Sequence, residues 1–206
     1  FSPDRRSIVF VRPGAGLWAL DLASGASTMF SADAAASEPV WSPDGRHVLF
    51  VSSRDGDDDL WVIDVDPLTL VATAERAVLE TSPADEQSPD WSPDGARIAF
   101  TQTMGATPRV AVLDVDAATI LPAGAATGLP LPPGNSDAAR PHFAPDGASV
   151  AYDSNRPEAY TPLDTMVRVD TSLQDVYVHR ISDDLVRRVT ADSDLTRAPA
   201  TASAAW

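Results

Sequence analysis

Residues 41–64 of the 206-residue chain, WSPDGRHVLFVSSRDGDDDLWVID, contain the pattern that decides the fold. In Ser42-Pro43-Asp44-Gly45 the proline presets φ at the second turn position, and the glycine can adopt a positive φ at the fourth. Val48 to Val51, which follow the turn, are all apolar, and such a run is typical of a strand buried on both faces. The segment therefore predicts a tight hairpin that leads into neighbouring strands.

The same pattern recurs along the chain. Copies begin at Phe1 (FSPDRRSIVFV), Trp41, Trp91 (WSPDGARIAFTQT) and Phe143 (FAPDGASVAYDSNRP), and Trp206 resembles the start of another. The period is about 40 residues plus insertions, which is the length of a propeller blade. Repetition at this period indicates that each copy is one structural unit stacked on the next.

Further strand signals complete each copy. A third strand is predicted at LWALDL from Leu17, LWVIDVD from Leu60, RVAVLDVD from Arg109 and DVYVHRI from Asp175, and a fourth at STMFS from Ser27, RAVLE from Arg76, TILPA from Thr119 and LVRRVT from Leu185. Sustained helical periodicity is absent. We therefore predict an all-β fold, a β-propeller of four-stranded antiparallel blades. The predicted blades are approximately 1–36, 37–86, 87–137 and 138–197, with 198–206 as the start of a further blade.

Composition narrows the function classes. All 15 cationic side chains are arginine, and 30 Asp and Glu residues give a formal net charge of −15. This balance argues against nucleic acid and anionic membrane surfaces as partners, because both are held by clustered cations. No cysteine is present, which excludes disulfides and thiol nucleophiles. The sequence shows no GxSxG elbow, HExxH helix or phosphate-binding glycine loop, so we assign no catalytic residue and no cofactor.

One family resemblance covers nearly the whole chain. The run P-x-WSPDG, then an apolar strand, then S-x-R-D-G, then LWV-x-D-x-D is similar to the TolB-type propeller repeat, a relative of the WD repeat. The matching positions are Trp41, Pro43, Asp44, Gly45, Phe50, Ser53, Arg54, Asp55, Gly56, Leu60, Trp61 and Asp64. The resemblance implies part of a larger ring of six or more blades, a protein or peptide partner and an extracytoplasmic location. It leaves open a second reading, the propeller of a larger serine peptidase of the prolyl oligopeptidase type.

The repeat also departs from its own pattern. In the first copy Arg5 stands where the turn glycine is expected, so either its φ is strained or the turn differs. The first copy also lacks the strand that precedes each aromatic, and the unpaired edge favours self-association. The alternative is closure of a four-blade ring, in which residues 198–205 supply the missing strand.

Two long insertions are the candidate binding surface. Gly124 to Arg140 and Arg156 to Gln174 fall on the same face of the predicted propeller, beside one blade, and function is often carried on such loops. The candidate contacts are Arg140, His142, Arg156, Glu158, Tyr160 and Asp164. A basic or polar partner suits a chain this acidic. For Arg156 we favour a structural role, because it aligns with Arg54 of the second blade and each can pin its loop by pairing with an aspartate.

Metal sites have little support in the sequence. Asp55, Asp57 and Asp59 alternate as calcium ligands do, but the sixth and twelfth positions of an EF-type loop are not matched, so a solvated hairpin tip is favoured. His47, His142 and His179 are too few and too scattered for a three-imidazole centre. This argues against a third interpretation, a propeller enzyme such as a polysaccharide lyase with a metal held by histidines of the channel. Of the three, His142 is the one predicted to face the central channel. The recurring Phe1, Trp41, Trp91 and Phe143 are predicted to pack between blades and to bind no ligand.

Overall fold

The computed structural model describes residues 1–79, 83–132, 137–155 and 174–190, which form antiparallel strands and no helix. The strands are β1 Ser7–Arg12, β2 Gly16–Asp21, β3 Ser27–Ser31, β4 Ala36–Trp41, β5 His47–Ser52, β6 Asp59–Asp66, β7 Val71–Ala77, β8 Asp85–Trp91, β9 Arg97–Met104, β10 Thr107–Asp114, β11 Thr127–Gly128, β12 Ala139–Phe143, β13 Ser149–Asn155, β14 Gln174–Arg180 and β15 Leu185–Arg188. These residues hold no helix long and apolar enough to cross a lipid bilayer.

Each sheet is one blade whose strands pair in chain order. Blade 1 is the three-stranded sheet β1 to β3, and blades 2, 3 and 4 are the four-stranded sheets β4 to β7, β8 to β11 and β12 to β15. The first strands of blades 2 to 4, which we call the inner strands, contact one another in turn, β4 with β8 and β8 with β12. The predicted all-β propeller architecture is therefore confirmed. No described strand pairs with the inner edge of β1, and the proposed closing segment 198–205 lies outside the described residues.

The Ser-Pro-Asp-Gly turn forms because its polar groups satisfy one another. The amide of Gly45 donates to the carbonyl of Ser42 at 3.0 Å, and the Ser42 hydroxyl donates to Asp44 Oδ1 at 2.6 Å. The same hydroxyl accepts from the amide of His47 at 2.9 Å, at the start of β5. Gly45 adopts φ 72° and faces Pro3 of the preceding blade, so the turns stack from blade to blade. We call this end of the blades the turn face, and the opposite end, with loops such as 32–35 and 53–58, the loop face.

Arg5 forms the same turn, but in a strained backbone conformation. Its φ is 59°, close to that of Gly45, and its amide donates to the carbonyl of Ser2 at 2.9 Å. A left-handed conformation costs a residue with a Cβ about 1–2 kcal/mol, a cost that glycine avoids.

We therefore expect Arg5→Gly to raise the free energy of unfolding by about 1 kcal/mol, as measured by urea denaturation. Gly45→Ala is the matched reverse change and should lower it. A loss of stability in Arg5→Gly would show that Arg5 makes a contact in the fold that outweighs its strain.

The aromatic residue that ends each inner strand packs against the preceding blade. Trp41 meets Phe30 of blade 1 edge-on at 5.8 Å between ring centroids, and Trp91 is buried among residues of blades 2 and 3, including Leu49 and Leu113. Phe143 packs likewise against Val110 of blade 3. The predicted role is confirmed for these three aromatics. It is wrong for Phe1, which is 75% exposed because the described chain has no blade before it.

The fourth strands follow the sequence pattern least well. In blade 2 the strand is Val71–Ala77, which begins before the predicted RAVLE segment at Arg76. In blade 3 the predicted strand from Thr119 is wrong, because Asp116 Oδ1 accepts from the amides of Ala118 and Thr119 and holds a turn there. The strand that completes blade 3 is Thr127–Gly128.

Candidate functional site

Every inner strand of blades 2 to 4 contains the same irregularity. Three positions before the closing aromatic, a residue other than glycine adopts a positive φ: Glu38 (49°), Ser88 (51°) and Arg140 (53°). Each is followed by proline, and the strand pairing shifts register at this point. Positive φ before proline is disfavoured, so the surrounding structure must hold it.

The bulged strands present side chains at two positions, three and one before the aromatic. These are Glu38 and Val40 in blade 2, Ser88 and Asp90 in blade 3, and Arg140 and His142 in blade 4. We call Glu38, Ser88, Asp90, Arg140 and His142 the inner-strand cluster. The backbone irregularity is identical in the three blades whereas the residue types differ, so the scaffold repeats but the chemistry that it presents does not.

Arg140 is held from two sides. Its Nε donates to Asp153 Oδ2 at 2.6 Å, and the carboxylate of Asp153 is fully buried on β13. Its backbone amide donates to the Thr101 hydroxyl of blade 3 at 2.9 Å. The Arg140 side chain remains 44% exposed, so a positioned cation reaches the surface.

His142 and Asp90 form an ion pair between blades 3 and 4. Nδ1 of His142 lies 3.8 Å from Asp90 Oδ2, and the same oxygen accepts from the amide of Phe143 at 2.7 Å. The nearby Asp90 carboxylate raises the pKa of His142, and partial burial opposes the shift. The stabilisation from this pair is therefore present at low pH and is lost as the pH rises through the raised pKa.

Glu38 links blade 2 to the other members of the cluster. Its Oε2 accepts from the amide of Ser88 at 2.6 Å, which satisfies the backbone of the strained residue. The cluster therefore combines carboxylates from blades 2 and 3 with a guanidinium and an imidazole from blade 4. Such an arrangement can hold a polar group by hydrogen bonds and charge.

The sequence located part of this cluster. Arg140 and His142 were predicted as contacts and lie together on β12, although Gly124 to Arg140 is not one continuous loop, since it includes β11 and the start of β12. The other predicted contacts, Arg156, Glu158, Tyr160 and Asp164, lie outside the described residues. Glu38, Ser88 and Asp90 were missed. The signal that could have identified them is the recurring x-Pro-x-aromatic pattern at the end of each inner strand.

Arg54 shows what the position aligned with Arg156 does in blade 2. Its Nη2 lies 2.6 Å from Asp33 Oδ2, and its Nη1 pairs with Glu75. The guanidinium also stacks over the Trp61 ring at 3.9 Å from the centroid. These contacts pin the loop between β5 and β6, which is the structural role that the sequence favoured for Arg156.

The aspartates of that loop differ in environment. Asp55 is exposed, whereas Asp59 opens β6 and is 7% exposed. Burial, followed by the charges of Asp57 and Asp55, raises the pKa of Asp59. Within the described ranges, no three His, Cys, Asp or Glu side chains are grouped to hold a metal ion. The solvated hairpin tip favoured over a calcium site at Asp55, Asp57 and Asp59 stays a prediction.

Comparisons with known proteins identify the family of the propeller. The sequence model of the TolB beta propeller domain matches residues 1–125. The structure is similar to putative TolB from Agrobacterium tumefaciens, with a TM-score of 0.69, 19% identity and coverage of 93% of this chain and 60% of that one. For TolB from Acinetobacter baumannii the TM-score is 0.64 and the identity 17%, with coverage of 90% of this chain and 41% of that one. For Pyrococcus horikoshii acylaminoacyl peptidase the TM-score is 0.50 and the identity 18%, with coverage of 84% of this chain and 27% of that one.

These similarities concern the fold, since all three identities are below 20%. The chain spans 41% and 60% of the length of the two TolB structures. Its sequence matches none of the curated proteins.

Proposed function

The chain belongs to the TolB beta propeller domain family, and from that premise we propose that it is a non-catalytic propeller that binds a protein or peptide partner. The observation that carries the proposal is the inner-strand cluster, in which one repeated backbone bulge presents five different polar or charged side chains. Packing alone does not require this variation, because the neighbouring aromatic and proline positions keep their type. Positioned arginine, histidine and carboxylate groups suit recognition of a polar partner surface.

The proposed partner approaches the loop face. Arg140 and Glu38 lie in the halves of their strands nearest this face, where the crossings from the preceding blades enter. The exposed Asp55 and Asp85 add negative charge on the same side. A basic or polar partner fits these charges, and complementary potential speeds association. The family resemblance also favours an extracytoplasmic location for this encounter.

Site-specific photo-crosslinking in the native host tests the face. Benzoylphenylalanine at Glu38 or Ser88 should give a covalent adduct with one shared partner, identified by mass spectrometry. The matched controls are Arg46 and Leu68, which are exposed on the turn face, and they should not give that adduct. Adducts from Arg46 and Leu68 with none from Glu38 and Ser88 would contradict the proposal.

A second candidate function is supported by the similarity to the acylaminoacyl peptidase, of which this chain covers 27%. In this reading the chain is the propeller of a larger serine peptidase and restricts access to its active site. Sequencing of the adjoining coding region distinguishes the two. A downstream GxSxG domain supports the peptidase, and a small upstream α/β domain supports partner binding by a TolB-like protein.

A further inference from the structure

The dipeptide Asp-Gly occurs in the chain at Asp44-Gly45, Asp55-Gly56, Asp94-Gly95 and Asp146-Gly147. In this dipeptide an aspartate side chain reacts with its own backbone most easily, because glycine has no Cβ to block the following amide. The pairs at 44, 94 and 146 belong to the turns that follow the inner strands of blades 2 to 4. The pair at 55 forms the tip of the loop between β5 and β6, so one dipeptide stands in two different environments.

The reaction is a cyclisation of the aspartate onto the next amide. The glycine nitrogen loses its proton to water and attacks Cγ of the protonated carboxyl; the N–Cγ bond forms, the C–OH bond breaks and a molecule of water leaves. The succinimide then takes water back at either carbonyl, which breaks the bond of that carbonyl to nitrogen. Addition at the side-chain carbonyl restores aspartate, and addition at the main-chain carbonyl leaves isoaspartate. Reaction requires that the nitrogen reach Cγ, so the carboxyl must be free to rotate.

The turns of blades 2 to 4 fix their carboxylates by hydrogen bonds. Asp44 Oδ1 accepts from the Ser42 hydroxyl at 2.6 Å and from the Arg46 amide at 3.0 Å. These bonds hold the carboxylate in one orientation, and rotation towards the glycine nitrogen would break them. The carboxylates of Asp94 and Asp146 are held in a similar way, by donors on Ser92, Ala96 and Ala148.

The glycines of these turns are held as well. Each amide donates to the carbonyl of the residue that begins the turn, at 3.0 Å for Gly45, 2.9 Å for Gly95 and 2.8 Å for Gly147. A Cβ on any of these glycines would meet a proline of the preceding blade's turn, at 3.4 to 3.9 Å. The nitrogen therefore reaches Cγ only if the turn opens and separates from its neighbour.

Asp55-Gly56 is much less restrained. Asp55 is exposed, and its carboxylate accepts no hydrogen bond from the residues that the structure describes. Gly56 is also exposed, and the space in its Cβ direction is open. Its amide donates to the Ser53 carbonyl at 3.3 Å, a longer bond than in any of the turns. At this tip the carboxyl can rotate and the nitrogen can be released without moving a blade.

We propose that Asp55-Gly56 is a site of spontaneous isoaspartate formation, and that the fold protects the Asp-Gly pairs of the turns from the same reaction. Conversion inserts the side-chain methylene of Asp55 into the backbone and keeps the negative charge. The altered residue lies on the loop face, beyond Arg54, whose contacts with Asp33 and Glu75 hold the start of this loop. The inference depends on groups of this chain alone and stands apart from the proposed partner binding.

The test follows isoaspartate in the folded full chain at mildly acidic pH, below the unfolding temperature. After proteolysis, the isomeric peptides of equal mass are separated by chromatography and assigned by electron-transfer fragmentation. We expect isoaspartate at position 55 to accumulate at least about tenfold faster than at positions 44, 94 and 146. The same incubation in urea frees all the pairs, and there the rates should agree within about threefold.

Asparagine and glutamate variants make the test specific to the cyclisation. Asp55→Glu should abolish isomerisation at this position, because a glutamate must close a larger ring. Asp55→Asn and Asp94→Asn are a matched pair, since each places an asparagine before glycine and cyclises with loss of ammonia. The asparagine carbonyl can still accept from Ser92 in the turn. We expect Asp55→Asn to lose ammonia at least about tenfold faster, as measured by intact mass.

Several results would overturn the proposal. These are equal rates of isomerisation at positions 55 and 44 of the folded chain, and loss of ammonia from Asp55→Asn no faster than from Asp94→Asn. A tenfold excess at position 55 that persists in urea would also overturn it, because the flanking sequence and not the fold would then set the rate. The wild-type comparison keeps the test valid even if Asp94→Asn disturbs its turn.

Discussion

Replacing Trp91 by alanine is expected to lower the free energy of unfolding by about 3 to 5 kcal/mol. Trp91 is 6% exposed and packs with Leu49 and Leu60 of blade 2 and with Ile98 and Leu113 of blade 3. Truncation leaves a cavity at the contact between two sheets, and those sheets cannot collapse into it without losing their strand register. The indole N–H has no partner among the described residues, so the loss comes from packing.

Urea denaturation measures the effect, and Phe1→Ala is the matched control. Phe1 holds the same repeat position as Trp91 but is 75% exposed, so its replacement should change the free energy of unfolding by no more than about 0.5 kcal/mol. A shift below about 1 kcal/mol in Trp91→Ala would mean that this aromatic does not hold blades 2 and 3 together.

Gly16→Ala should lower the free energy of unfolding by about 3 kcal/mol or more. Gly16 begins β2 with φ 83°, and a Cβ there would overlap the carbonyl oxygen of Ser31 on β3. The substitution therefore combines left-handed strain with a clash against backbone that cannot rotate away. Separation of β2 from β3 would expose the side of blade 1 on which Leu17 and Phe30 are buried.

Gly14→Ala in the same turn separates the left-handed backbone strain from the steric clash with Ser31. Gly14 has φ 72° but open space around its Cβ direction, so only the conformational cost of about 1 kcal/mol applies. Thermal or urea unfolding of both variants should show a clearly larger loss for Gly16→Ala. Equal losses would show that the contact with Ser31 relaxes at little cost.

Local hydrogen bonds explain why the turns and central strands were predicted correctly. The bonds that close Ser42 to His47 all lie within five residues, so the motif specifies its own geometry. The turn at Asp116 is also local, because the Asp116 carboxylate accepts from the amides two and three residues later in the chain. The sequence nevertheless predicts a strand from Thr119, because the apolar residues that follow, including the buried Ile120, match a strand pattern.

The inner-strand cluster could not be predicted from local sequence, because its members are far apart in the chain. Glu38 and Ser88 are 50 positions apart and Asp90 and Phe143 are 53 apart, yet each pair is joined by one hydrogen bond. The prolines after Glu38, Ser88 and Arg140 are visible in the sequence, but the positive φ of the residues before them is not. Sequence spacing cannot show that bulges from three blades meet, because their meeting depends on the stacking angle of whole sheets.

The sequence by itself determined the repeat, the turn chemistry, the all-β class and the aromatics that separate the blades, since these depend on residues close together in the chain. Tertiary structure alone decided that Arg140 is anchored by the buried Asp153, and that His179 is completely buried at the position filled by leucine in blade 3. The physical reason is that burial belongs to an interface between blades. A side chain is buried, paired or left exposed according to what the next blade places against it, and that neighbour lies some 50 residues away.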